Sequence, residues 1–270
     1  MGSGRNRESL RRRAGVFRFP GESASYDHRL QLRHGTLRGV EPTSDATCWT
    51  LIRGAAAGRS DDRSVFGRRY AEPVRAFFAA RWRFSVNRQE VEDALQEVFL
   101  ECFRRGGVLD RVDADRPGGF RAFLYGVCRN VAMRTESGRK KARDRGIDDL
   151  RVDLDRVECD ETSLSRAFDR GWAKTIVREA AQRHEELARA AGREHLQRLE
   201  LLRMRFGDGL PVREIAARLG KEDKDAIHRE LRRARLEFRN ALQEIVAYHQ
   251  PTASAGDVER ECERLQALLD

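Results

Sequence analysis

The chain is expected to be all-α. Apolar residues recur at three- and four-residue spacing through most of its length, and β-branched alternation of the strand type is scarce. The charged fraction of 36% set against 7% aromatics implies many solvated helical faces rather than one large all-β core. The 270 residues suffice for one large or two small helical units.

Residues 1–43 are rich in Gly, Ser and Arg, lack sustained periodicity, and read as a disordered basic arm. Residues 44–138 form a first domain. Trp49, Ile52 and the alanines at 55–57 predict a short helix that Gly58 ends. A longer helix over 62–83 buries Val65, Phe66, Tyr70, Val74, Phe77 and Phe78, with a kink or break expected near Glu72 because Pro73 cannot donate to the ladder. Ser85 or Asn87 caps the next helix, over 89–104. Its stripe of Val91, Leu95, Val98, Phe99, Cys102 and Phe103 faces inward, and Asp93, Gln96, Glu97 and Glu101 face outward. After a charged, Gly-rich loop over 107–119, a helix over 119–135 buries Phe120, Phe123, Leu124, Val127, Cys128 and Val131.

Residues 139–162 form a charged linker, basic and then acidic, joined to a second domain over 163–250. That domain opens with a long helix over 163–191, in which Leu164, Phe168, Trp172, Ile176, Ala180 and Leu187 are the apolar contacts. A helix over 195–206 follows, with Leu196, Leu199, Leu202 and Phe206. Next comes a helix-turn-helix pattern. Pro211 opens its first helix, Ile215, Ala216 and Leu219 face inward, and Gly220 closes it. The second helix, over 225–247, has the spine Ile227, Leu231, Ala234, Phe238, Leu242 and Ile245. It presents His228, Arg229, Arg232, Arg233 and Arg235 outward. Arginine there suits guanine edges and phosphates alike, although a generic helical hairpin with a solvated cationic face has the same spacing. Residues 251–270 hold a last amphipathic helix over 257–269.

The formal net charge of +9 favours a polyanionic partner. Cys48, Cys102, Cys128, Cys159 and Cys262 lack metal-knuckle or redox spacing, which points to a reducing, cytoplasmic setting. No apolar run approaches a membrane span, and no secretory signal is recognisable. The six histidines, His28, His34, His184, His195, His228 and His249, form no HExxH or Cys/His cluster, and no phosphate-binding glycine loop occurs. Enzymatic activity, metals and cofactors are therefore not expected.

Two segments in this order carry a resemblance. DALQEVFLECF (93–103), followed by FRAFLYGVCRNVAMR (120–134), is similar to region 2 of extracytoplasmic-function (ECF) sigma factors of the bacterial sigma-70 family. LPVREIAARLGKEDKDAIHRELRRARLEF (210–238) is similar to their region 4. FDRGWAKTIVREA (168–180) and DVERECERLQALL (257–269) resemble a planctomycete-type subgroup. The resemblance implies that Asp93, Gln96 and Glu97 dock on core RNA polymerase, through its β′ subunit with β as a further contact. It implies that Arg121, Tyr125, Arg129, Asn130 and Arg134 take the melted −10 element, and that His228, Arg229, Arg232, Arg233 and Arg235 meet the −35 duplex. Promoter DNA and an anti-sigma factor are the other partners it implies. Two features depart from the family: the turn over 221–226 is a residue longer, and Asp225 and Glu230 bring acid beside the DNA face. Two other classes remain open: a helix-turn-helix regulator that binds duplex DNA without polymerase, and a helical protein-interaction module.

Overall fold

The computed structural model describes residues 48–83, 88–113, 118–144, 160–220 and 223–269. The expected basic arm, the cap at Ser85 or Asn87 and most of the charged linker lie outside these residues. All regular structure among them is helical: α1 (Cys48–Ala56), α2 (Ser60–Arg81), α3 (Arg88–Phe103), α4 (Gly119–Asp144), α5 (Glu161–Ala191), α6 (Arg193–Leu202), α7 (Val212–Arg218), α8 (Lys224–His249) and α9 (Ala255–Ala267). None of these helices is long and apolar enough to cross a membrane.

Local chemistry accounts for several of the ends. Gly58, at φ +88°, turns the chain out of α1. The Asp160 carboxylate accepts from the Thr162 amide at the start of α5. Ser254 and Asp257 form a reciprocal capping box at the start of α9.

Tertiary packing overrides local preference in two places. α2 runs unbroken through Pro73, so the break expected near Glu72 is absent. Tyr70, Val74, Phe77 and Phe78, on both sides of the proline, are fully buried. Burial of several large side chains, each worth about 1.5–3 kcal/mol, outweighs a helix-interior proline at about 3 kcal/mol. α4 does not stop at Thr135 but continues to Asp144. Its added turns are anchored: Glu136 accepts from Arg81 at 2.7 Å and from the Trp82 indole at 2.9 Å. Arg139 lies 4.6 Å over the Trp82 ring and also pairs with Glu90.

α2 and α5 lie at the centre of the main core. Gly171 of α5 packs directly on the Pro73 backbone, where a Cβ would meet the Pro73 Cα at 2.7 Å. Around that crossing, Phe66, Tyr70, Phe77, Leu124, Phe168, Trp172 and Ile176 join Phe238 and Val246 of α8 and Leu265 of α9 in one apolar cluster. Elements on both sides of the 139–162 segment therefore share a core. A part-buried polar network crosses it. Glu179 of α5 pairs with Arg69 of α2 and lies 3.2 Å from His249 Nε2, while Arg69 donates to the Tyr248 hydroxyl at 2.9 Å. Burial holds His249 below its ordinary pKa against the opposing pull of Glu179. Burial raises Glu179, but His249 and Arg69 more than compensate and leave it below the usual carboxylate value.

A smaller cluster of Leu201, Met204, Ile215, Ala216, Ile227 and Leu231 holds α6, α7 and the start of α8 together. Two inward placements expected from spacing are corrected. Leu196 and Leu219 are 40% and 41% exposed. A π-type turn over Arg203–Gly207 follows α6, and Leu201 and Met204 supply the contacts to this smaller cluster from that side.

Candidate functional site

α3 turns Ala94, Leu95, Val98 and Cys102 into the core. This leaves Asp93, Gln96 and Glu97 exposed together on its outer face, as i, i+3, i+4 spacing requires. The Gln89 amide donates to Asp93 at 2.9 Å. One turn further along the same face, Leu100 is 66% exposed, an apolar group that residue pattern alone had assigned no role.

α4 packs beside α3, and the two enclose a groove that Asp93 and Glu97 line from α3 and Arg134 from α4. Next to it is a largely apolar cavity of about 310 Å³ lined by Val108, Val127, Asn130, Val131 and Met133, with Glu101 and Arg134 at its edge. Asn130 is exposed at its rim. Arg134 reaches across the groove to Glu101 at 2.9 Å and Glu97 at 3.6 Å.

The five α4 residues expected to act together fall on two sides of the helix. Asn130 and Arg134 lie toward α3. Arg121, Tyr125 and Arg129, at i, i+4, i+8, line the side facing the start of α5. There, Arg121 pairs with Asp169, Arg129 lies 3.1 Å from Glu161, and the Tyr125 hydroxyl donates to the same Glu161 at 3.0 Å. Asp169 also takes Arg264 of α9 at 3.5 Å. Burial, then the Glu161 carboxylate, pushes the Tyr125 hydroxyl up to about 12, so it remains a donor at neutral pH. Glu161 lies outside the segments singled out in the sequence, and Asp169 falls within FDRGWAKTIVREA without a role of its own. Their part in the site comes only from the docking of α5.

α7 and α8 occupy the two helical segments of the expected helix-turn-helix pattern. Pro211 precedes α7 as its N-cap rather than forming its first residue. Gly220, at φ +60°, ends the first helix, and Asp223 caps α8 by accepting from the Ala226 amide at 2.9 Å. With Ile227 and Leu231 buried, His228, Arg229, Arg232 and Arg233 are exposed on one face. Arg229 lies 3.3 Å from Asp223, and Arg233 lies 2.7 Å from Glu230.

Arg235 is not part of that face. It follows the buried Leu231 by one turn, so its half-buried guanidinium sits 5.2 Å over the Phe206 ring, and burial lowers its pKa. Glu230, an acidic group beside the cationic face, is held by Arg198 of α6 at 2.8 Å. The Arg198 hydrogen bond lowers its pKa, so its charge is balanced from behind. Arg198 also binds Glu237 at 2.8 Å.

Among the described residues no group of three or more His, Cys, Asp or Glu could hold a metal ion. Compared with protein-family models, curated proteins and solved structures, the chain matches none.

Proposed function

We propose that this chain is a promoter-recognition subunit of the ECF sigma type. It would bind core RNA polymerase and direct promoter recognition, −10 melting and transcription initiation in the cytoplasm. The observation that carries the reading is the exposure, in chain order, of three surfaces of the required chemistry. These are an acidic α3 face at Asp93, Gln96 and Glu97, a cavity with Asn130 at its rim, and a cationic α8 face at His228, Arg229, Arg232 and Arg233. The acidic face would take a basic helical element of the β′ subunit, with the exposed Leu100 adding apolar contact. An unpaired base can enter an apolar cavity and hydrogen-bond a side-chain amide, as single-strand readers do. A face of three arginines and a histidine on the second helix of such a pair suits the major groove. The chain would catalyse no step itself. It would favour the open promoter by binding only the melted strand, which draws the duplex-opening equilibrium toward it.

The test is transcription with purified components. Added to core polymerase, the chain should bind it and direct a discrete transcript start on a genomic promoter library. Failure to bind core would overturn the reading. A second reading, a regulator that binds duplex DNA without polymerase, is favoured by the separate small core of α6–α8, which can present the α8 cations without help from α3 or α4. Duplex binding without core binding would select it. Binding to neither would leave a helical protein-interaction module.

A further inference from the structure

Arg121, Tyr125 and Arg129 are the groups of α4 best suited to a nucleic-acid backbone, yet each has a carboxylate partner on α5. Glu161 serves both Tyr125 and Arg129, and Asp169 serves Arg121. The two acids are placed firmly. Leu164 and Phe168, between them on α5, are buried in the main core, and Arg264 of α9 supports Asp169 from its other side. A carboxylate beside a guanidinium offers the same paired acceptor oxygens and the same sign of charge as a phosphodiester.

We propose that Glu161 and Asp169 are built-in phosphate mimics that occupy the α4 arginines and hold the free chain in a state that binds single-stranded DNA weakly. This rests on the reading of α4 as a nucleic-acid surface. Because Leu164 and Phe168 anchor α5, the helix stays seated and only the partners of the arginines exchange: strand phosphates replace the two carboxylates. Apparent affinity is then reduced by the fraction of time the arginines are occupied.

The test compares the wild-type full chain with the double variant Glu161→Gln/Asp169→Asn. The probe is a fluorescein-labelled single strand of about 16 nucleotides, read by anisotropy, with the same sequence as a duplex for comparison. The double variant should bind the single strand roughly tenfold more tightly at low salt, with duplex affinity unchanged because the α8 face is untouched. The gain should shrink as salt rises and screening weakens the carboxylate–arginine pairs. Should the double variant fold poorly, Glu161→Gln alone, at a solvent-exposed position, should still give a smaller gain of the same sign. Equal single-strand affinity in wild type and variant, or an equal gain for duplex, would overturn the mimicry while leaving the α4 reading intact. No single-strand binding by either protein would overturn the α4 reading and the mimicry with it.

Discussion

The close approach of α5 to α2 at Gly171 makes Gly171→Ala a sharp test of how α5 is seated. A methyl group at Gly171 would lie 2.7 Å from the Pro73 Cα, 3.0 Å from the Ala76 Cβ and 3.2 Å from the Glu72 carbonyl oxygen. Two of these neighbours are backbone atoms of α2, which cannot rotate away, so the helices must separate. Overpacking of this kind costs about 1–3 kcal/mol. Alanine recovers about 1 kcal/mol of helix propensity over glycine, which leaves a net loss of up to about 2 kcal/mol. Gly138 in α4 is the internal control, because a Cβ there meets nothing within 4 Å. Gly138→Ala should gain about 1 kcal/mol by propensity alone. Thermal and urea unfolding of both variants should therefore show opposite signs, at roughly 2–4 °C in Tm per kcal/mol for a chain of this size. If Gly171→Ala stabilised the protein as much as Gly138→Ala, the α2–α5 contact described above would be wrong. The placement of Glu161 and Asp169 over α4 would fall with it.

Other perturbations separate the candidate surfaces. Asn130→Ala should reduce open-complex formation on a promoter at least several-fold while leaving core-polymerase binding intact, whereas Asp93→Arg should abolish core binding with the fold retained; core binding, permanganate footprinting and circular dichroism distinguish them. Arg232→Ala should weaken duplex binding and lower the salt slope by about 1, as expected for one lost phosphate contact, with Tm unchanged. Arg235→Ala should instead lower Tm through loss of its packing on Phe206 and leave the salt slope alone. His249 and His184 are both held below their ordinary value of 6.5, chiefly by burial, so the unfolded chain takes up protons there before the folded one does. Stability should be full above pH 6.5 and decline as pH falls below it, with a further loss below 4.5 as Glu179, also depressed in the fold, is protonated. A Tm that stays flat between about pH 7.5 and 5.5 would contradict this burial of neutral imidazole.

The helical class and nearly every helix were legible in the residues, because an amphipathic stripe needs only i, i+3, i+4 spacing and a cap is one or two residues long. Asp160, Ser254 and Gly220 acted locally, as such residues do anywhere. The exposure of Asp93, Gln96 and Glu97, and of His228, Arg229, Arg232 and Arg233, followed from the same periodicity. Distant partners decided the rest. Pro73 sits mid-helix because the aromatics around it are buried, and α4 runs to Asp144 because Arg81 and Trp82 hold Glu136. Arg235 faces inward because Phe206 lies over the turn below it. The division of the α4 residues is the clearest instance. Periodicity alone places Arg121, Tyr125 and Arg129 on one side and Asn130 and Arg134 on another, but which side meets carboxylates depends on where α5 docks. That is set by a glycine 98 positions along the chain from Pro73, through a contact that local spacing does not encode. Sequence by itself determined the helices and their faces, since those are nearest-neighbour properties of the backbone. Only tertiary structure decided which faces meet, since that depends on shape and charge brought together across the core.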